Sequence, residues 1–234
     1  MSQNYFIDKL NDIREHIVGD FPDADPWPRV WADMIDWENE HSNLLDFVSD
    51  SYREEFDNAY EQLELGNFAE SIRVFEHLAS AGSLHAIFEL GNIYATARYN
   101  HLDPEKAQVH YRHAASAGHQ IAMLCAARLE ASQGRYEEAE RMLKPGLDDG
   151  WPPAQFRVAQ YRGLRGRKGR LFTDRTVYPL LLTAASAGHP AAQVLLEVYM
   201  GKGRFGILRM PVGLWRGYRR ATRFVNQNYS RHDR

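Results

Sequence analysis

The hexamer AASAGH stands twice in this chain, at residues 114–119 and again at 184–189, with no low-complexity tract around either copy. A looser copy, LASAGS, covers 78–83, and a fourth turn of related shape, PGLDDG, covers 145–150. Gly82, Gly118, Gly150 and Gly188 are thus 36, 32 and 38 residues apart. Each closes an amphipathic stretch, and an alanine a few residues on (Ala86, Ala122, Ala154, Ala191) opens the next. A period in the thirties with two helical stretches per unit predicts an all-α solenoid, because no single helix pair can bury its own apolar face and neighbours must stack. The hexamer then reads as a hinge. Its alanines let two helix backbones approach, its glycine takes the left-handed conformation that ends a helix, and the residue after it (Ser83, His119, His189) starts the next unit as a local cap or spacer.

The stretch from Ala86, AIFELGNIYATARYNHLDPEKAQVHYRHAASAGH, resembles a Sel1-like repeat, a relative of the tetratricopeptide repeat. The likeness rests on Leu90-Gly91 and Tyr94 in the first helix, Asp103 with Lys106-Ala107 opening the second, then Tyr111, Ala114, Ala115 and Gly118. GNFAES at 66–71 and GRYEEA at 134–139 are similar to the turn of a tetratricopeptide repeat. The units from Ala154 and Ala191 keep the frame but depart inside it. The first replaces the short interhelix turn by GLRGRKGRLFTDRT and has Leu181 where an aromatic is expected; the second carries the insert GKGRFGILRMP and lacks the AAxxG ending, as a terminal cap would. The resemblance implies a right-handed α-α superhelix of about five helix-pair repeats over residues 52–226, preceded by an N-terminal helical cap segment, 1–51, and followed by a polar tail, 227–234. In the cap segment, Phe6, Leu10, Ile13 and Ile17 share one helical face, and Val30, Trp31, Met34, Leu45 and Val48 predict a second helix or pair beyond the breaker-rich DFPDADPWP. Trp27, Trp31 and Trp37 are expected to pack on the first repeat, with a partner surface as the alternative.

Reactive chemistry is hard to assemble from these residues. No G-x-S-x-G, H-E-x-x-H or G-x-x-x-x-G-K-[ST] occurs; GLRGRKG has no Ser or Thr after its lysine. Asp20, Asp23 and Asp25 lack the glycine and glutamate of a calcium loop. His110 and His113 are three apart on a predicted helix, with His110 at an aromatic position of the repeat, but no third metal ligand accompanies them. Cys125 is the one cysteine, set in the apolar run IAMLCAARL, so a buried small hydrophobe is expected and an intrachain disulfide is impossible. No metal, cofactor or enzyme activity is expected. The N-terminus carries acids where a leader needs a basic then apolar stretch, and no apolar run reaches the ~18 residues of a membrane span, so the expected location is the cytoplasm or the inner face of the membrane.

Charge is divided sharply along the chain. Residues 1–80 hold 19 acids and five Lys/Arg, whereas 151–234 hold three acids and 16 Lys/Arg, within a total of only −3. Arg162, Arg165, Arg167, Lys168 and Arg170 interleave with glycines and are expected in a flexible interhelix loop. In VGLWRGYRRATRFV, Leu214, Trp215, Tyr218, Ala221 and Val225 share one helical face and Arg216, Arg219, Arg220 and Arg223 the opposite one. That helix docks on the last repeat or lies on an anionic membrane. These nine basic residues are the candidate anionic-surface or partner-binding set. The resemblance implies a scaffold that binds another protein, of unknown identity, without catalysis of its own. A second expectation is a peripheral accessory protein of a cell-envelope or polysaccharide-export system, held at the membrane by the basic helix. Near-neutral overall charge and the absence of a recognised nucleic-acid-binding fold argue against nucleic acid. Head-to-tail pairing of opposite charges predicts at most weak, salt-sensitive self-association.

Overall fold

A computed structural model describes residues 28–43, 52–96, 99, 101–165, 176–201 and 212. Among the described residues the regular structure is entirely α-helical: α1 Pro28–Glu40, α2 Arg53–Glu64, α3 Phe68–Ser80, α4 Leu84–Ala95, α5 Pro104–Ser116, α6 Gln120–Ser132, α7 Tyr136–Asp148, α8 Pro152–Arg165, α9 Val177–Ser186 and α10 Pro190–Gly201. Four successive pairs, α2/α3, α4/α5, α6/α7 and α8/α9, are followed by the first helix of a fifth. The chain divides into two compact units, residues 1–143 and 144–234. In the first, α2 to α5 each pack on the next helix in sequence; in the second, α9 packs on both α8 and α10.

The hexamer performs two jobs at once. Gly118 has φ +94° and Gly188 φ +98°, a region that Cβ-bearing residues avoid. In that conformation the His119 N–H reaches back to Ala114 O (3.0 Å) and the Gly118 N–H to Ala115 O (3.0 Å), the paired bonds of a Schellman helix end. His189 and Gly188 repeat both bonds to Ala184 and Ala185 (3.1 Å each). The same histidines then cap the next helix. His119 Nδ1 accepts from the Ala122 N–H and His189 Nδ1 from the Ala192 N–H, each at 3.2 Å, as Ser83 Oγ accepts from the Ala86 N–H at 3.3 Å. One residue therefore ends one helix and begins the next, as the sequence predicts. The cap fixes the register as well: the alanine equivalent to Ala86 and Ala122 is Ala192, not the Ala191 expected from sequence, because position N3 is counted from the capping residue. Gly118 has open space around its missing Cβ, so Gly118→Ala is expected to cost about 1 kcal/mol through backbone strain alone, read as a lowered midpoint of thermal unfolding.

The second helix of each pair seals its unit at a fixed spacing. Phe75, Tyr111, Leu143 and Leu181 are fully buried, each seven residues before its hinge glycine. Leu181 thus takes the aromatic's place without leaving the core. The register also corrects the expectation for His110: Tyr111 holds the buried aromatic position, and His110, half-buried, stacks on Tyr94 with ring centroids 5.6 Å apart. Tyr111 lies on Gly91, where an added Cβ would meet Cδ1 and Cε1 of the ring at 2.6 Å. The ring cannot swing aside, since the Tyr111 O–H donates to Asn92 Oδ1 at 2.8 Å. Gly91→Ala is therefore expected to destabilise by overpacking, about 2 kcal/mol, with midpoint loss exceeding that of Gly118→Ala in the same measurement.

Helix α4 is buried at every residue from His85 to Ile93. Its neighbours explain this. Ala86, Leu90 and Ile93 enter a core with Phe56, Tyr60, Phe75 and Leu78 of α2 and α3, whereas Ile87 and Phe88 enter a second core with Ala107, Tyr111, Ala114 and Ala122 of α5 and α6. A helix shared between two cores keeps only a narrow third face, and here that face is polar: His85, Glu89 and Asn92, at i, i+4 and i+7.

One sequence expectation changes. Arg162 and Arg165, placed in a flexible loop by the glycines around them, belong to the last turn of α8. Arginine is a good helix former and its charge is favourable at a helix C-terminus, while Gly163 is buried on the packed side of the helix, so the helix runs on through it. The N-terminal segment does form a helix, α1, with Met34, Ile35 and Glu38 buried. Just beyond it, Asn43 bonds to Gly118 and Gln120, at the junction of the second and third pairs. Trp37 stacks on His41 at 3.8 Å. Trp27 and the side chain of Trp31 lie outside the described residues, as do Phe6, Leu10, Ile13, Ile17, Leu45 and Val48.

Candidate functional site: a buried polar seam in the first unit

The polar face of α4 continues onto its neighbours. His85 Nε2 lies 3.4 Å from the Tyr60 hydroxyl and 3.6 Å from Glu89 Oε1, and its ring sits against Phe56 at 5.1 Å. Asn92 Nδ2 donates to Glu89 Oε2 at 3.2 Å, and Asn92 Oδ1 accepts from Tyr111. On the other side the His85 ring runs parallel to that of His119, 6.4 Å away, with Phe88 stacked on His119 at 4.6 Å. The second unit repeats the pairing of a phenylalanine with a capping histidine: Phe156 lies 4.5 Å from His189. The histidine of the hexamer is thus both a cap and the aromatic filler behind it. Sequence reasoning found the cap and missed the filler, although a phenylalanine precedes each hexamer histidine by about one repeat (Phe88, Phe156).

Burial sets the charge state of this seam. It pushes His85 down to about 3, helped by the neighbouring His119. Burial likewise pushes His119 down to about 4, partly opposed by a hydrogen bond to its own backbone. Both rings are neutral at pH 7, so the contact between His85 and Glu89 is not an ion pair there. Tyr111 is held well above the usual phenol range, first by burial and then by the Cys125 thiol beside it, so it stays a hydrogen-bond donor. Cys125 itself is buried, as its apolar run predicts.

A second polar cluster ties α5 to α6 and to the turn that leads into α7. Glu130, 1 % exposed, accepts from Gln108 Nε2 at 2.8 Å and from Arg112 Nη2 at 2.6 Å, and also binds Arg135 Nε. Burial alone would raise the Glu130 carboxyl; hydrogen bonds and charge from Arg135 and Arg112 outweigh it and hold the carboxyl below its ordinary value. Nothing in the sequence groups Arg112, Glu130 and Arg135, because Arg112 is on α5, 18 residues before Glu130 of α6, and Arg135 lies in the turn after α6.

Of the nine basic residues singled out by sequence, two are described. Arg162, partly exposed, donates from Nη1 to Thr176 Oγ1, and Arg165 is exposed at the helix end. Arg167, Lys168, Arg170, Arg216, Arg219, Arg220 and Arg223 lie outside the described residues. Among the described residues no group of three His, Cys, Asp or Glu side chains is placed to hold a metal, and no helix is long and apolar enough to cross a membrane.

The helices and the seam define a class: a helical-repeat protein in which successive pairs are joined by Schellman hinges, those at Gly82, Gly118 and Gly188 also capping the following helix. No family model matches the chain, and no curated protein matches it. Among solved structures the chain is similar to a Sel1 repeat protein from Oxalobacter formigenes, with 23% identity and a TM-score of 0.43, over 68% of this chain and 51% of that one. The chain therefore spans about half the length of that structure.

Proposed function

We propose that this protein is a non-enzymatic repeat adaptor that binds another protein through the surface of its helix pairs. The observation that supports it most directly is how its buried polar side chains are used. His119 and His189 cap helices, Tyr111 and Asn92 lock α5 to α4, and Glu130 joins α6 to α5. Each such group holds one helix against another, and His85 and His119 are kept neutral where they lie. Such chemistry builds a rigid display surface. The exposed faces of α2, α3 and α5, with Glu54, Glu55, Asp57, Glu61, Glu76, Lys106 and Val109, are what it displays.

The test is affinity capture with the purified full chain in parallel with anionic-vesicle sedimentation. Stoichiometric co-purification of one protein, cross-linked to Lys106 or Lys144 on the repeat helices, is the expected result. Retention of no protein above an unrelated-bait control, together with quantitative recovery on phosphatidylglycerol vesicles, would replace this reading by that of a peripheral membrane accessory.

A further inference from the structure

Helix α2 buries Phe56, Ala59, Tyr60 and Leu63 and leaves its opposite side to three exposed acids, Glu54, Asp57 and Glu61. Leu65, 64 % exposed, follows the last turn with helical dihedrals (φ −73°, ψ −6°) and so continues the same side. At 100° per residue the four lie within about 80° of one another, a single stripe along the helix. The stripe works against its own helix. Glu54 and Asp57 are three apart and Asp57 and Glu61 four apart, spacings at which like charges repel. Glu61 also stands in the last turn, where the helix dipole disfavours an acid and no basic residue offsets it. Among the described residues none of the three acids has a cationic partner. Broken local rules of this kind are characteristic of a contact surface.

The chain carries a counterpart of the opposite sign. Val212 is 43 % exposed, and Arg216, Arg220 and Arg223 follow it at intervals of four, four and three residues. Read backwards along α2, Leu65, Glu61, Asp57 and Glu54 have the same intervals, four, four and three. At the helical phase that the sequence predicts for residues 212–225, the basic set is likewise one stripe. Two such stripes laid antiparallel bring each arginine to an acid and the valine to the leucine. We propose that the acidic stripe of α2 is the docking surface for residues 212–223 of a second copy of this chain. The two surfaces differ, so the contact is heterologous, and a docked copy still offers one of each to the next. Exposed ion pairs are weak and are screened over ~10 Å at 0.1 M salt, so the contact forms at high concentration and low salt. It needs no foreign partner, and affinity capture of one can succeed or fail independently of it.

The test is sedimentation equilibrium of the purified full chain from about 10 to about 500 μM, at roughly 50 mM and roughly 500 mM salt. At low salt the weight-average mass is expected to rise with concentration, and at high salt the association to weaken about tenfold or more. The full-length variants Glu54→Arg/Asp57→Arg/Glu61→Arg and Arg216→Glu/Arg220→Glu/Arg223→Glu should each lose the rise when alone, because both of their stripes then carry one sign. An equimolar mixture of the two should regain it, since each stripe meets its opposite on the other variant; this recovery also shows that both variants are folded. The triple variant Glu55→Arg/Glu76→Arg/Glu105→Arg makes the same change of charge at exposed positions off the stripe and should associate at least as well as the unaltered chain. An unaltered chain that stays monomeric at low salt, a mixture that does not associate, or an off-stripe variant that loses association as fully as the stripe variant would overturn the proposal.

Discussion

Changing Arg112 and Arg135 together to methionine is expected to destabilise the protein by about 3 kcal/mol at pH 7, more than Glu130→Gln does. Methionine keeps most of each aliphatic stem, so the loss reports charge and hydrogen bonding more than packing. In the double variant the Glu130 carboxylate, 1 % exposed in the unaltered chain, loses both cations and keeps Gln108 Nε2 as a donor. A buried anion without its cations is a large uncompensated cost, whereas in Glu130→Gln the two arginines, each about half exposed, turn to water. The arginines' exposure also places the loss at the low end of the range for broken buried pairs. The pH dependence carries the sign. In the unaltered chain the Glu130 carboxyl is held below its ordinary value, so its contribution is present above the ordinary carboxylate range and is lost as pH falls through the folded value. Without the arginines burial raises that carboxyl above its unfolded value, and the variant loses stability as pH rises. The gap between the two proteins should thus widen from pH 4 to pH 7 in denaturant unfolding. A constant gap, or a double variant no weaker than Glu130→Gln, would show that the cluster does not hold these helices together.

The second large effect is acid lability centred on His85 and His119. Folded values of about 3 and about 4 lie below the unfolded value near 6.5, so the unfolded chain takes up protons that the native seam refuses. Stability is therefore full above pH 6.5 and falls as pH drops towards the folded values. For His119 alone the separation amounts to roughly 3 kcal/mol; His85 adds to it less than independently, because each ring's charge opposes the other's. His119→Asn is the informative substitution. Asparagine retains an oxygen able to cap α6 but does not titrate, so the variant should show a shallower loss between pH 6.5 and 4, about 3 kcal/mol less. At neutral pH it should be weaker than the unaltered chain by about 1–2 kcal/mol, having lost the ring stacked on Phe88. Parallel pH profiles for the two proteins would mean that His119 is not the buried neutral ring described here.

What the sequence by itself determined is the local chemistry of the hinges. A glycine at a helix end, two alanines before it and a capping side chain after it act within eight residues, so AASAGH announces its Schellman turn, its cap and its period wherever it stands. The all-helical architecture and the left-handed glycines were legible for that reason. Arg162 and Arg165 were misplaced by the same local reasoning: the surrounding glycines suggest a loop, but Gly163 is buried in a helix that packing carries through it. Only the tertiary structure decided the contacts between residues far apart in sequence. That the capping histidine also fills the space behind Phe88, that Glu130 gathers Gln108, Arg112 and Arg135, and that Asn43 reaches Gln120 across 77 residues all depend on which helix faces come together. Periodicity says that a face is buried. It does not say against what, because a buried partner is selected by shape and by unsatisfied polar atoms at the meeting surface, and those exist only once the helices have stacked.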